Sequence, residues 1–149
     1  MHYIDLIKQY SDHAIFGILG LMSLIMLYKV LERAIFYARV KPQGYDNIHK
    51  LTIDLERGLT PIYTVGATAP YVGLLGTVVG ILLTFYDMGQ AGGNIEAGKI
   101  MTGLALALKA TAAGILVAIP AVWFYNALTA SVEAKKLAWQ AYKAEQKQP

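Results

Sequence analysis

Two stretches of this 149-residue chain contain no charged side chain: Gly58–Tyr86, 29 residues long, and Ala110–Val132, 23 residues long. A helix needs about 20 mainly apolar residues to cross the hydrocarbon core of a bilayer, and both stretches are long enough. Composition agrees: 56% of residues are hydrophobic and 15% charged, and the mean hydropathy is +0.43. A soluble globule or a disordered chain does not carry this pattern. The absence of Cys excludes thiol catalysis, Cys-metal sites and a disulfide scaffold. The net charge of +3 comes from basic residues set between the apolar runs. A nucleic-acid binder gathers such residues on a patch beside aromatics, so no nucleic-acid partner is expected. The expected surroundings are membrane lipid.

The chain therefore reads as an all-α membrane protein, a single domain over residues 1–149 with spans at about 14–31, 61–86 and 100–128. In the first span the uncharged part, Ala14–Tyr28, covers roughly 22 Å at 1.5 Å per residue. Lys29 must then snorkel toward the headgroups. Met1–His13 carries Asp5 and Asp12 beside a single Lys, and no small-x-small cleavage pattern follows, so span one reads as an uncleaved anchor.

Lys and Arg in short loops set orientation. Arg33, Arg39, Lys41, Lys50 and Arg57 lie between spans one and two, and Lys135, Lys136, Lys143 and Lys147 follow span three. The other side has only Lys8 and Lys99. Segments 32–60 and 129–149 are expected in the cytoplasm, with the N-terminus out and the C-terminus in. Three crossings require the same parity. Within 32–60, Lys41–Gly44 is a turn. Asp46 is placed to cap a short helix bearing Ile48, Leu51 and Leu55, ended by Gly58. The third helix is expected to run on into the cytoplasm, and Gly89–Asn94 reads as a flexible connection. Tyr63, Tyr71, Tyr86, Trp123, Tyr125 and Trp139 read as interface anchors.

Span two carries Gly73, Gly76, Thr77, Gly80 and Thr84 on one side of a helix. Span three carries Gly103, Ala107, Thr111, Gly114, Ala118 and Ala121 in a similar seam, with Pro120 expected to bend it. Small residues let helices approach closely in lipid, and helix–helix packing alone accounts for the glycines. Thr77 lies about 16 Å along its helix from Gly66, and Thr111 about 15 Å from Met101. The helices are antiparallel, so the two hydroxyls share a depth near the bilayer middle. Each Thr alone can bond back to its own helix. Two at one depth suggest a shared polar surface such as a pore lining.

Lys109 is the one ionisable side chain deep in an apolar run. Such residues are costly and often functional, although Lys109 can also snorkel outward. It points away from Thr111, toward a neighbouring subunit or a partner's acid. No Asp, Glu or His falls within the three spans. A proton relay needs a group that takes and releases protons, so any such relay requires a carboxylate from a second polypeptide. His2, His13 and His49 are dispersed, with no metal-binding spacing. No P-loop or nucleophile elbow is present. Neither an enzyme nor a cofactor is expected.

The stretch Ala69-Pro70-Tyr71-Val72-Gly73-Leu74-Leu75-Gly76-Thr77-Val78-Val79-Gly80-Ile81 closely resembles the second-span motif of the ExbB/TolQ/MotA proton-channel family. Ala110-Thr111-Ala112-Ala113-Gly114-Ile115-Leu116-Val117-Ala118-Ile119-Pro120-Ala121-Val122, with Tyr125-Asn126, resembles its third-span motif. The match is closest to the ExbB branch. The resemblance implies a homo-oligomeric ring, a pentamer, in the inner membrane of a Gram-negative cell, with spans two and three around a pore lined by Thr77 and Thr111. It implies an ExbD-like single-span partner that supplies a membrane Asp, and a TonB-like protein that uses the proton flow for uptake of iron complexes and cobalamin. Two departures stand out. The family's glutamate early in span three falls at Leu106, with Lys109 one turn away, which suggests that Lys109 lies near a partner carboxylate. The segment between spans one and two is also short, which marks a compact branch. Alternatives are TolQ-type work on the envelope, a small proton-coupled exporter, for which the usual intramembrane Glu is missing, and a purely structural anchor.

Overall fold

The computed structural model of the chain describes residues 2–90 and 96–147, with side chains placed for residues 10, 11, 13–90 and 96–147. All its regular structure among these residues is helical: α1 (His2–Arg39), α2 (Ile48–Glu56), α3 (Leu59–Gln90) and α4 (Ala97–Glu145), with a 3-10 turn at Pro42–Gly44. Three helices are long and apolar enough to cross a membrane. At 1.5 Å per residue α1, α3 and α4 run roughly 57, 48 and 74 Å, well beyond a hydrocarbon core of about 30 Å. Each therefore projects past the apolar layer. The connection expected at Gly89–Asn94 begins later than the sequence suggested, because Gly89 and Gln90 still belong to α3; Ala91–Asn94 lie outside the described residues. α3 and α4 continue unbroken through Pro70 and Pro120.

α1 meets the α3–α4 hairpin along one stripe: Ile15, Leu19, Met26, Val30, Arg33 and Tyr37 are buried. Their spacing of three, four and seven residues keeps one face inward. Its opposite face leaves Leu21, Leu24 and Leu31 exposed, as do Leu82, Leu116 and Trp123 on α3 and α4. An apolar exterior of this kind is suited to lipid or to other helices rather than to water.

At the α2 end the chain is tied down by polar contacts. Lys41–Gly44 forms the expected turn, with Gly44 N–H and Tyr45 N–H donating to the carbonyls of Lys41 and Pro42. The cap of α2 is Asn47, not Asp46: its Oδ1 accepts from His49 N–H at 2.8 Å. Asn47 holds the extended backbone (φ −136°, ψ 133°) that an N-cap requires, while Asp46 stands one residue too early. Leu51 and Leu55 are fully buried. Gly58 ends the helix at φ +84°, a left-handed conformation that costs a side chain dearly. The last carbonyls of α2, otherwise without partners, are taken by α1. Arg33 Nη1 donates to Asp54 O at 3.1 Å, and Tyr37 Oη to Leu55 O at 2.6 Å. Tyr45 Oη donates to the Asp54 carboxylate at 2.8 Å. Trp139, expected to anchor at the membrane interface, instead reaches from α4 onto this segment, and its Nε1 donates to Tyr45 O at 2.8 Å. It stands roughly 16 Å beyond Leu128 along α4, where the α2 segment offers an open carbonyl.

Candidate ion pathway

The small residues of α3 and α4 face one another in a single antiparallel register. A Cβ built on Gly73 would stand 2.5 Å from Ala110 O and 3.1 Å from Gly114 Cα, and one on Gly114 would stand 2.5 Å from Ala69 O. The helices touch backbone to backbone there, and no larger residue fits. Further along, Gly80 meets Ala107, and Gly103 meets Thr84. Gly66, which the sequence reading did not single out, meets Val122 in the same way. Close packing of this kind is what holds helices together where lipid removes the hydrophobic drive. Gly73, Gly76, Gly80 and Gly114 therefore all lie at helix contacts.

One turn from Gly73 this close approach brings two hydroxyls together. Thr77 Oγ1 lies 2.6 Å from Thr111 Oγ1 and 3.0 Å from Ala107 O on the facing helix. Its own-helix acceptor, Gly73 O, is farther at 3.4 Å. Thr64, Thr68, Thr84 and Thr102 behave differently, each donating to the carbonyl four residues earlier at 2.7–2.9 Å. Thr77 thus favours the facing helix over its own. A hydroxyl has one proton to give. With Thr77 donating to Ala107 O, Thr111 is the donor in the short bond, and lone pairs of Thr111 remain available. Thr77 is buried and Thr111 partly exposed, so the pair is a short chain running from the surface inward.

α1 decides which surface that is. Ile15 of α1 seats against Gly76, where an added Cβ would meet its Cγ2 at 3.0 Å and the Ala110 Cβ at 2.7 Å. Thr77 and Thr111 each follow those two residues by one position, about 100° around their helices. The hydroxyl pair therefore faces the side of the hairpin that α1 leaves open. Lys109 is exposed and lies about 200° around α4 from Thr111, so the structure does not bring it to the hydroxyls. Leu106, where the family glutamate was expected, is also exposed.

The open side continues toward the α2 end. Tyr63 and Tyr125 pair with ring centroids 5.3 Å apart. On either side of them lie two separate hollows of about 310 and 180 Å³, the first bordered by Glu56, Thr60, Thr129 and Glu133 and the second by Ala67 and Asn126. Lys136 lies 2.9 Å from Glu133 and 3.8 Å from Glu56. The sequence reading took Tyr63 and Tyr125 as interface anchors, Lys136 as an orientation charge and Asn126 as part of the third-span motif, and did not single out Glu56, Glu133, Thr60 or Thr129. The available signal was their spacing: Tyr63 and Asn126 continue the helical sides marked by Thr77 and Thr111.

A profile of the MotA/TolQ/ExbB proton channel family matches residues 39–141. Over 123 residues the chain is 51% identical to a biopolymer transport protein ExbB of Helicobacter pylori, which covers 83% of this chain and 84% of that one. It is 45% identical over 139 residues to the biopolymer transport protein ExbB of Aquifex aeolicus, with 93% of each chain covered. An ExbB of Neisseria gonorrhoeae is 46% identical over 71 residues, which are 48% of this chain but 32% of the relative. The Neisseria protein is thus much the longer, while the first two share this compact length. The match reaches beyond the two span motifs to include α2 and the far part of α4. The chain belongs to the MotA/TolQ/ExbB proton channel family, as a compact multi-pass membrane subunit of ExbB type.

Proposed function

We propose that this chain is the proton-channel subunit of a TonB–ExbB–ExbD-type complex, using the proton motive force to power outer-membrane import of iron complexes and cobalamin. Several copies, a pentamer, form a ring in the inner membrane, with the Thr77–Thr111 side of each hairpin turned to a central pore. The N-terminus faces out, and residues 32–60 and 129–149 lie in the cytoplasm. An ExbD-like partner supplies the membrane Asp, and a TonB-like protein takes up the work.

The observation that carries this reading is the hydroxyl pair: two Thr oxygens 2.6 Å apart, set in a span region without any Asp, Glu or His, on the side α1 leaves open. Hydroxyls order water and accept from a carboxylic acid, but they do not take up a proton near neutral pH. The titrating group must come from elsewhere, which is the role proposed for the partner's Asp. Packing alone accounts for Gly73, Gly76, Gly80 and Gly114, but gives no reason for Thr77 to reach across to the facing helix.

Proton-driven uptake of iron complexes by cells carrying Thr77→Val or Thr111→Val tests the reading. Assembly persists and uptake falls if the hydroxyls line the path. Normal uptake in both variants removes the assignment. Lys109, exposed on another side of α4, is assigned to an acidic group on the partner or on the neighbouring copy. Lys109→Met then alters the pH dependence of uptake, and an unaltered profile removes that contact.

A further inference from the structure

We propose that neighbouring copies of this chain are joined by a hydrogen bond within the membrane: the Tyr71 hydroxyl on α3 of one copy donates to the Leu116 carbonyl on α4 of the next, the carbonyl that Pro120 leaves without a helical donor. The inference deepens the proposed ring and rests on it. Within one hairpin Gly73 and Gly114 face each other, and a Cβ built on either would lie 3.1 Å from the Cα of the other. Tyr71 stands two residues before Gly73 and Leu116 two residues after Gly114, each about 200° around its helix. Tyr71 therefore points away from α4 and Leu116 away from α3, and both are exposed, at 70% and 71%. Because the helices are antiparallel, each lies about 3 Å from the glycine contact on the side toward the α2 end. The two residues thus share one depth on opposite flanks of the hairpin. A ring in which every copy meets the next in the same way joins two such unlike flanks.

Each flank presents a polar group that lipid does not satisfy. Proline has no N–H to give to the carbonyl four residues earlier, so Pro120 deprives the Leu116 oxygen of its usual donor. A proline within a spanning helix is tolerated where a neighbouring helix or a side-chain hydroxyl makes good that loss. On the other flank the Tyr71 hydroxyl has no hydrogen-bond partner among the described residues. Tyr71 was expected to anchor at the membrane interface, yet it lies six residues from Thr77, about 9 Å along α3, inside a half-thickness of about 15 Å. A Tyr hydroxyl at that depth needs an acceptor. Side chains lean toward the N-terminus of their helix, and helix carbonyls point toward its C-terminus. On α3 and α4 both directions lead to the α2 end, so hydroxyl and carbonyl oxygen are displaced the same way.

The match extends along both flanks. Thr64 precedes Tyr71 by seven residues and Trp123 follows Leu116 by seven, which keeps each within about 20° of its flank and again at one depth. Thr64 Oγ1 donates to Thr60 O at 2.9 Å, and its lone pairs are open to the Trp123 Nε1–H, which has no partner among the described residues. Lys109 stands seven residues before Leu116, on the same flank of α4. Ionisable residues in spanning helices face protein or water rather than lipid, a second reason for the next copy to cover α4 here. Tyr71 lies about 120° around α3 from Thr77, and Leu116 about 140° around α4 from Thr111. The seam therefore leaves the hydroxyl pair free to face the pore.

The chain has no Cys, so introduced thiols report cleanly. Two differently tagged versions, Tyr71→Cys and Leu116→Cys, are co-expressed with the single-span partner and oxidised in membranes with lipid-soluble copper phenanthroline. Mixed dimers carrying both tags should dominate, and either version expressed alone should cross-link severalfold less. Same-version dimers as abundant as mixed ones, or a ring that cross-links at neither position, overturn the seam. The hydrogen bond itself is read by a double-mutant cycle. Tyr71→Phe should lower the detergent concentration at which the ring dissociates, followed by native mass spectrometry. The same change should have little effect beside Pro120→Ala, which returns an N–H to the Leu116 carbonyl. A ring indifferent to Tyr71→Phe, or weakened equally in both backgrounds, overturns the bond. Mixed dimers in a complex that conducts no protons support the seam and count instead against the proton-channel reading.

Discussion

Gly73→Ala is the smallest change that should disturb both the fold and the Thr77–Thr111 hydroxyl pair. The new Cβ would meet Ala110 O at 2.5 Å, where ordinary contact begins at 3.4 Å. Backbone atoms cannot swing aside, so the helices must part by about 0.9 Å. One turn away, the Thr77–Thr111 distance of 2.6 Å would open to about 3.5 Å, beyond a hydroxyl hydrogen bond. Overpacking costs about 1–3 kcal/mol, and the lost bond about 1 kcal/mol. The better helix propensity of Ala returns about 0.5–1 kcal/mol. The net loss should be about 1–3 kcal/mol. Denaturation of the purified chain in detergent, followed by helicity, measures it. Gly17→Ala is the internal control, because nothing lies within 4 Å of its Cβ position; it should be neutral or slightly stabilising. A double-mutant cycle adds the decisive comparison. If Gly73→Ala already breaks the hydroxyl bond, Thr77→Val should cost about 1 kcal/mol in the native background and little in the Gly73→Ala background. Equal costs in both backgrounds, or a Gly73→Ala protein as stable as Gly17→Ala, would refute the reasoning.

Other expectations follow from the same contacts. Gly58→Ala places a side chain at φ +84° and within 3.4 Å of Arg33 Nε, so it should lower stability by about 1–2 kcal/mol in the same denaturation assay; an unchanged midpoint would contradict the left-handed turn. Arg33→Met removes the donor to Asp54 O and should speed amide exchange at the end of α2 while leaving α3 protected; uniform exchange would contradict the clamp. Tyr45 donates to the Asp54 carboxylate, and that bond, with burial, raises its phenol above the ordinary value of 10.0. A raised phenol contributes stability below the unfolded value, lost as pH rises through the folded one. The difference in stability between the native chain and Tyr45→Phe should therefore be constant near neutral pH and shrink above about pH 10; a difference that grows there would reverse the assignment.

The long helices could be read because charge-free runs of this length have one common solution in a bilayer. The depth match of Thr77 and Thr111 was equally legible, since residue count fixes axial position in antiparallel helices. Which hydroxyl donates to which acceptor was not, because the answer depends on the Ala107 carbonyl and a backbone approach set by Gly73. The side that α1 covers was also hidden: Leu21 and Leu24 are as apolar as Leu19 and Met26, and only packing separates them. Asn47 displaced Asp46 as cap by one residue, within the usual uncertainty of helix ends. Arg33 counted in the sequence as a loop charge that sets orientation. Its role as a clamp was invisible because its acceptor is a backbone carbonyl.

The central claim is that the Thr111 side of the hairpin forms the wall past which a partner's carboxyl group carries protons. Proton uptake into vesicles, driven by an imposed potential and read with a pH dye, tests it most directly. The chain reconstituted with its single-span partner should conduct, whereas the chain alone and the Thr111→Val complex should each conduct far less at equal assembly. Equal conduction by the chain alone, or by the Thr111→Val complex, would contradict it.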